Sequence, residues 1–182
     1  MINWHNVAKA IDYYQSLGYK YIEVPWFVSK PAIEATYSQN NIKFTCDVGT
    51  MVGSAEQSFV QLMLDNKIEA GKYVAASPCY RDDIIDELHS LSFFKVELIS
   101  IFNKKEILIL NYNLIDIVDA AKKFFNILAP DKKIKIVSTK EGIDLEIDGI
   151  EVGSYGIRSL KDWIWIYGTG YADPRFSLVI KK

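Results

Sequence analysis

Histidine and cysteine are scarce in this sequence. It has two cysteines, Cys46 and Cys79, no CxxC pair, and two histidines, His5 and His89. That excludes the usual four-ligand structural zinc site, and isolated thiols suit a reducing compartment. No apolar run approaches the ~20 residues that cross a bilayer, and the first residues do not make a signal peptide. The expected location is cytoplasmic, with no membrane association. An excess of one charge is also missing: 21 basic against 23 acidic residues give a formal net charge of −2. No global basic footprint for nucleic acid results, so nothing here supports tRNA as a partner. Internal repeats, low-complexity stretches and linkers are absent as well. The 182 residues read as a single domain, 1–182, long enough to bury an ordinary core.

What is present is strand and helix patterning of ordinary globular composition, 49% hydrophobic and 24% charged. His5 to Leu17 places Val7, Ala10, Ile11, Tyr14 and Leu17 at helical spacing, and Gly18 suits its end. Tyr19 to Val24 alternates as a strand that Pro25 stops. Residues 26–52 read as a loop with a short helix and a short strand near Ile42–Cys46. Ser54 can cap a helix, with Gln57 completing a capping box. Asp116 to Leu128 is a helix ended by Pro130. Lys133 to Ser138 and Trp163 to Tyr167 read as strands. Asp148-Gly149 between two alternating runs, Ile143–Ile147 and Ile150–Ser154, signals a tight hairpin. Residues 107–112 fit strand or helix equally. Hairpin-linked strands with peripheral helices predict an α+β fold, an antiparallel β-sheet flanked by helices.

The chemistry concentrates between Pro78 and Leu98. Arg81 closes one extended run, a polar loop follows, and a second run opens at Phe93. Alternation puts Phe93, Lys95 and Glu97 on one face and apolar Phe94, Val96 and Leu98 on the other. A ring, a cation and a carboxylate in a row suit a ligand: the guanidinium of Arg81 for phosphate, the ring for a base, the carboxylates for amines or a metal. Bland alternatives stand beside this. Arg81 fits an ion pair with Asp82, Asp86 or Glu87. Phe93 taken alone fits a core residue. Glu56 fits a first-turn helix acid. Further on, Asp173 can cap a helix whose first position is Pro174, which puts Arg175 in a first turn where anions are favoured.

Taken in order, these pieces resemble the catalytic domain of class II aminoacyl-tRNA synthetases. Val7 to Pro25 resembles the first family motif. Arg81, Asp83, Phe93 and Glu97, with His89 in the loop, resemble the second. Gly168, Gly170 and Arg175 resemble the third. Ser54-Ala-Glu56 is similar to the family's TxE loop, and Glu151-Val-Gly-Ser154 to the strand before the third motif. The resemblance implies binding of ATP and Mg²⁺ and formation of an acyl-adenylate from an amino acid. It implies Arg81, Asp83, His89, Phe93 and Arg175 around ATP, with Arg81 and Arg175 catalytic. Glu56, Glu97 and Ser154 would meet the amino acid, and Glu151 the metal. It also implies a homodimer through the segment ending at Pro25. The chain departs from the pattern at Asp83, one methylene shorter than the usual glutamate, and at Pro174, which splits Asp173 from Arg175. No anticodon-binding domain is recognised. The acceptor stays open among tRNA, a carrier protein, ammonia or another small molecule. The alternative is a non-catalytic paralogue serving as a dimeric binding or regulatory subunit. No Ser-His-Asp triad is needed, because adenylate formation rests on alignment and charge neutralisation.

Overall fold

The structure is a computed structural model and describes residues 1–36, 44–82, 85–103 and 110–181. The chain opens with α1 (Trp4–Ser16), capped by Asn3, whose side chain accepts from the Asn6 amide at 3.1 Å. Gly18, at φ +86°, turns it toward β1 (Lys20–Tyr21). This strand is shorter than its alternating pattern. Ile22 N still reaches the Val74 carbonyl, but the chain then leaves the sheet, and Ser58 Oγ donates to the Pro25 carbonyl at 2.6 Å. The next stretch holds more structure than expected: β2 (Phe27–Val28), α2 (Lys30–Glu34), β3 (Thr45–Cys46) and β4 (Gly49–Met51). The three strands form a small sheet, β2-β4-β3. Strands of two or three residues carry no alternation to read.

The rest follows the sequence pattern more closely. It comprises α3 (Ala55–Leu64), β5 (Gly71–Tyr80), β6 (Ser92–Asn103), α4 (Leu110–Leu128), β7 (Ile134–Ser138), β8 (Ile143–Ile147), β9 (Ile150–Leu160), β10 (Trp163–Asp173) and α5 (Arg175–Val179). The ambiguous stretch 107–112 enters α4 at Leu110, and its earlier part lies outside the described residues. At the β8–β9 turn Asp148 and Gly149 have φ of +52° and +80°, the two positive values that a type I′ turn requires. A second two-residue turn, Lys161-Asp162, sets β9 against β10.

The main sheet runs β1-β5-β6-β10-β9-β8-β7 and is antiparallel except for the β1–β5 pair. Its two faces bury different cores. On one, Val74, Val96, Leu98, Leu145, Tyr155 and Ile166 pack against α1, α4 and α5. On the other, Tyr73, Ala75, Ile99, Ile101, Trp165 and Tyr167 pack against α3 and its neighbours. Odd-numbered residues of β6 supply this second face. Ile99 and Ile101 lie beneath α3, whereas Phe93, Lys95 and Glu97 continue along the same face toward a cleft lined by Phe93 and Lys95. The predicted separation of Phe94, Val96 and Leu98 onto the opposite face is what the fold shows.

Gly168 is required by packing. A Cβ there would sit 2.4 Å from Tyr155 Cδ1. The Tyr155 ring cannot swing away, being fully buried with its hydroxyl donating to the Thr169 carbonyl at 2.7 Å. Gly168→Ala is expected to cost about 1–3 kcal/mol, the usual penalty for overpacking, read as a lower urea midpoint at an unchanged slope. An unaltered midpoint would contradict the close approach.

Candidate active site

The open part of the second sheet face is a cleft in two connected parts. A wide part, about 610 Å³, is lined by Ser54, Glu56, Ser154, Arg158 and Tyr167 among others. A narrow slot of about 50 Å³ is lined by His89, Phe93, Asp173 and Arg175 among others. Arg81, Lys95, Glu151 and Thr169 line both. Every described residue singled out from the sequence as a site candidate therefore lines this cleft, except Glu97, which lies under its floor. Asp83 lies outside the described residues.

Each side chain is held by its element. Arg81 follows the end of β5. Its Nε donates to the Gly53 carbonyl at 2.9 Å, and its guanidinium lies 5.2 Å from the Phe93 ring centroid. Phe93 is half-buried at the start of β6, so it faces the slot and not the core. Arg175 begins α5 and stands 3.4 Å from Glu151, which projects from β9. Asp173 stays on β10, joined to Pro174 by a cis peptide bond. Its carboxylate nevertheless meets the helix, accepting from Ser177 N at 3.3 Å, and from Asn3 N at 2.6 Å. Pro174, and not Asp173, occupies the cap position. Asp173 is thus the fully buried knot that ties α5 and the N-terminus to β10.

Two carboxylates are sunk into the floor. Glu97 is fully buried, and Lys95 reaches its two oxygens at 3.0 and 2.9 Å. Ser54 Oγ adds a short bond of 2.5 Å to Glu97 Oε2. Ser54 also caps α3, accepting from Glu56 N at 3.2 Å, while Gln57 Oε1 accepts from Gly53 N at 2.8 Å. The anticipated capping box is therefore displaced by one residue. Glu56 is 4% exposed. Trp165 Nε1 donates to its Oε1 at 2.7 Å, and Arg158 Nη1 to its Oε2. Burial pushes the Glu56 carboxyl above its ordinary range, while the Arg158 guanidinium opposes the rise.

Sequence reasoning did not single out Arg158 or Trp165, and it placed Lys95 in the ligand-facing row without giving it a role of its own. The signal for the first two was available in part. The two-residue Lys161-Asp162 turn puts Arg158 opposite Trp165, but nothing local says that Glu56 sits between them.

The loop before β6 is organised by Asp86. Its Oδ1 accepts from Leu88 N at 2.7 Å and His89 N at 2.8 Å, and its carboxylate meets His89 Nδ1 at 2.8 Å. These bonds, the Leu88 amide first, lower the Asp86 pKa from 3.8 to about 2. His89 thus reaches the slot from a loop that depends on an ionised carboxylate.

Among the described residues no group of three or more His, Cys, Asp or Glu side chains is arranged to hold a metal, and no helix is long and apolar enough to cross a membrane.

A family model described as "tRNA synthetases class II core domain (F)" matches residues 37–179. The chain belongs to the class II tRNA synthetase core family. Solved structures agree on the fold. The cytoplasmic serine-tRNA ligase of Naegleria fowleri, in complex with AMP, superposes with a TM-score of 0.77 at 16% identity over 96% of this chain and 47% of its own. The seryl-tRNA synthetase of Pyrococcus horikoshii, complexed with ATP, gives 0.77 at 18% identity, over 93% and 48%. A pyrrolysyl-tRNA synthetase of Desulfitobacterium hafniense gives 0.75 at 12% identity, over 98% and 68%. The chain thus spans about half the length of the two seryl enzymes. A search of curated protein sequences found no match.

Two outcomes follow for the floor and the loop. Lys95→Met leaves a buried carboxylate without its cation and is expected to cost about 3–5 kcal/mol. Adding Glu97→Gln should recover much of that loss in chemical denaturation. For Asp86 the folded pKa is depressed, so its contribution is complete above pH ~4 and fades as pH falls toward ~2. Protection of the Leu88 and His89 amides, measured against their intrinsic exchange rates at each pH, should fall over that window, and Asp86→Ala should show low protection at neutral pH.

Proposed function

We propose that this core domain binds ATP and activates an amino acid as its acyl-adenylate. One observation carries the reading. Arg81 after β5, Phe93 on β6, Glu151 on β9 and Arg175 on α5 line one slot, although the chain separates them widely. Two guanidiniums suit the anionic oxygens of a triphosphate, and a half-exposed ring beside them suits a purine face. The ATP and AMP in the seryl-tRNA synthetase structures support the same assignment.

The chemistry is an in-line displacement at the α-phosphorus. An oxygen of the acid's carboxylate attacks, the bond to the bridging oxygen of the β-phosphate breaks, and pyrophosphate leaves. Arg81, fixed by the Gly53 carbonyl, holds the α-phosphate and offsets charge that develops on its oxygens. Arg175 and His89 take the outer phosphates. Glu97 fixes Lys95 and Ser54 and so shapes the floor under the acid, and Ser154 borders it from β9. Mg²⁺ keeps several waters and needs only one or two protein carboxylates beside phosphate oxygens. Glu151, exposed at the junction of the two parts, fits that requirement. Bound there, the ion would supply charge neutralisation to the leaving phosphates.

The homodimer reading draws on exposed apolar side chains around the segment ending at Pro25: Trp4, Leu17, Tyr21 and Trp26. A second functional reading, a non-catalytic paralogue acting as a dimeric binding or regulatory subunit, is favoured by the pairing of Glu56 with Arg158 and Glu97 with Lys95. Both carboxylates suited to an ammonium are already engaged. ATP–pyrophosphate exchange with all twenty amino acids separates the two readings. Arg81→Ala is expected to abolish exchange while leaving the circular dichroism spectrum intact. Undiminished exchange in that variant would refute the assignment.

A further inference from the structure

Arg158 projects from β9 into the wide part of the cleft. It is held on two sides: its Nη1 donates to Glu56 Oε2, and its guanidinium lies 4.2 Å from the Tyr167 ring centroid. A guanidinium carries five N–H donors in one plane. Among the described residues its one side-chain hydrogen bond goes to Glu56, the Glu141 carboxylate acts on it electrostatically, and the side chain keeps 28% of its exposure. Its spare donors therefore border a cavity of about 610 Å³. An ordinary surface arginine moves freely and spends its donors on water. This one is pre-oriented by a buried carboxylate and a ring, which lowers the ordering cost of meeting a ligand.

Glu56 cannot be reassigned to the ligand at small cost. Its oxygens already accept from Trp165 and Arg158, and it is 4% exposed. Its role is to support Arg158. We propose that Arg158 determines specificity, receiving the distal carboxylate or carboxamide oxygen of an acid whose other end lies at Arg81. The proposal rests on the activation reading. Arg81 lines the junction and Arg158 only the wide part, so an acid reaching from one toward the other presents its far end to the spare donors. An apolar side chain there would leave those donors unpaired, which is costly in a dehydrated site. Glu141 lines the same part of the cleft. It would accept from a carboxamide NH₂ and repel a second carboxylate, so the two oxygen sources are distinguishable.

Asparagine, aspartate and leucine, of similar size, and glutamine, glutamate and methionine, one step longer, form the test panel. Each is titrated by calorimetry into the full chain without ATP and then assayed in ATP–pyrophosphate exchange. A polar member is expected to outperform its apolar counterpart by on the order of 10⁴-fold, the discrimination of sites built around substrate hydrogen bonds. Arg158→Lys keeps a cation beside Glu56 but loses the fork. It should weaken the polar acid by about 10–100-fold, the loss of one charge-assisted hydrogen bond, and leave the apolar acid unchanged. If that variant misfolds, Arg158→Gln combined with Glu56→Gln buries no charge and serves instead. Arg158-dependent binding without exchange supports this inference and sinks the activation reading. Equal performance of polar and apolar acids overturns the inference and leaves activation standing. Neither binding nor exchange by any acid overturns both.

Discussion

Glu97 sits fully buried in the middle of the sheet face, and its charge is tolerable there because Lys95 and Ser54 answer it. The desolvation of a lone carboxylate at such a site would cost several kcal/mol. That single requirement organises its surroundings. Lys95 must stay on the same face of the strand, two residues back. Ser54 must bring the first turn of α3 to the strand, which fixes where the helix stops covering the sheet. Beyond that point the face cannot be apolar, and the cleft begins.

A second buried carboxylate repeats the logic at the other strands. Glu56 stands on α3, while its donors Trp165 and Arg158 come from β10 and β9. The two carboxylates therefore pin the helix N-terminus to the sheet at separate strands. Positioning of this kind leaves little freedom to the groups that project into the cleft. Arg81 is fixed by the carbonyl just before Ser54, so the Arg81 side of the cleft takes its geometry from the same helix start. Preorganisation suits the proposed adenylate formation, which asks the protein for alignment and charge and hardly at all for proton transfer.

Much of this was readable in the chain. Alternation along β6 separated Phe93, Lys95 and Glu97 from the core-facing residues, because side-chain direction in a strand has period two whatever the strand packs against. The Asp148-Gly149 turn was legible because few residue pairs accept two positive φ values. The helix read over Asp116 to Leu128 lies within α4, because helical spacing is likewise a local signal. Elsewhere local signals fell short. The strands between Phe27 and Met51 are too brief to alternate visibly. Asp173 has the look of a helix cap, yet it ends a strand, because Asn3 from the far end of the chain also claims its carboxylate.

The sequence on its own determined most of the longer elements, the faces of the long strands, and the ordered set of residues that makes the family resemblance. Those follow from backbone preferences and periodicities that operate over a few residues. Tertiary structure alone decided which acids are paired and which basic side chains border the wide part of the cleft. Glu56 and Arg158 are 102 residues apart in the chain, and Ser54 and Glu97 are 43 apart. No local preference records such distances. They become neighbours only when a helix start settles onto a sheet whose register has already been set by its turns.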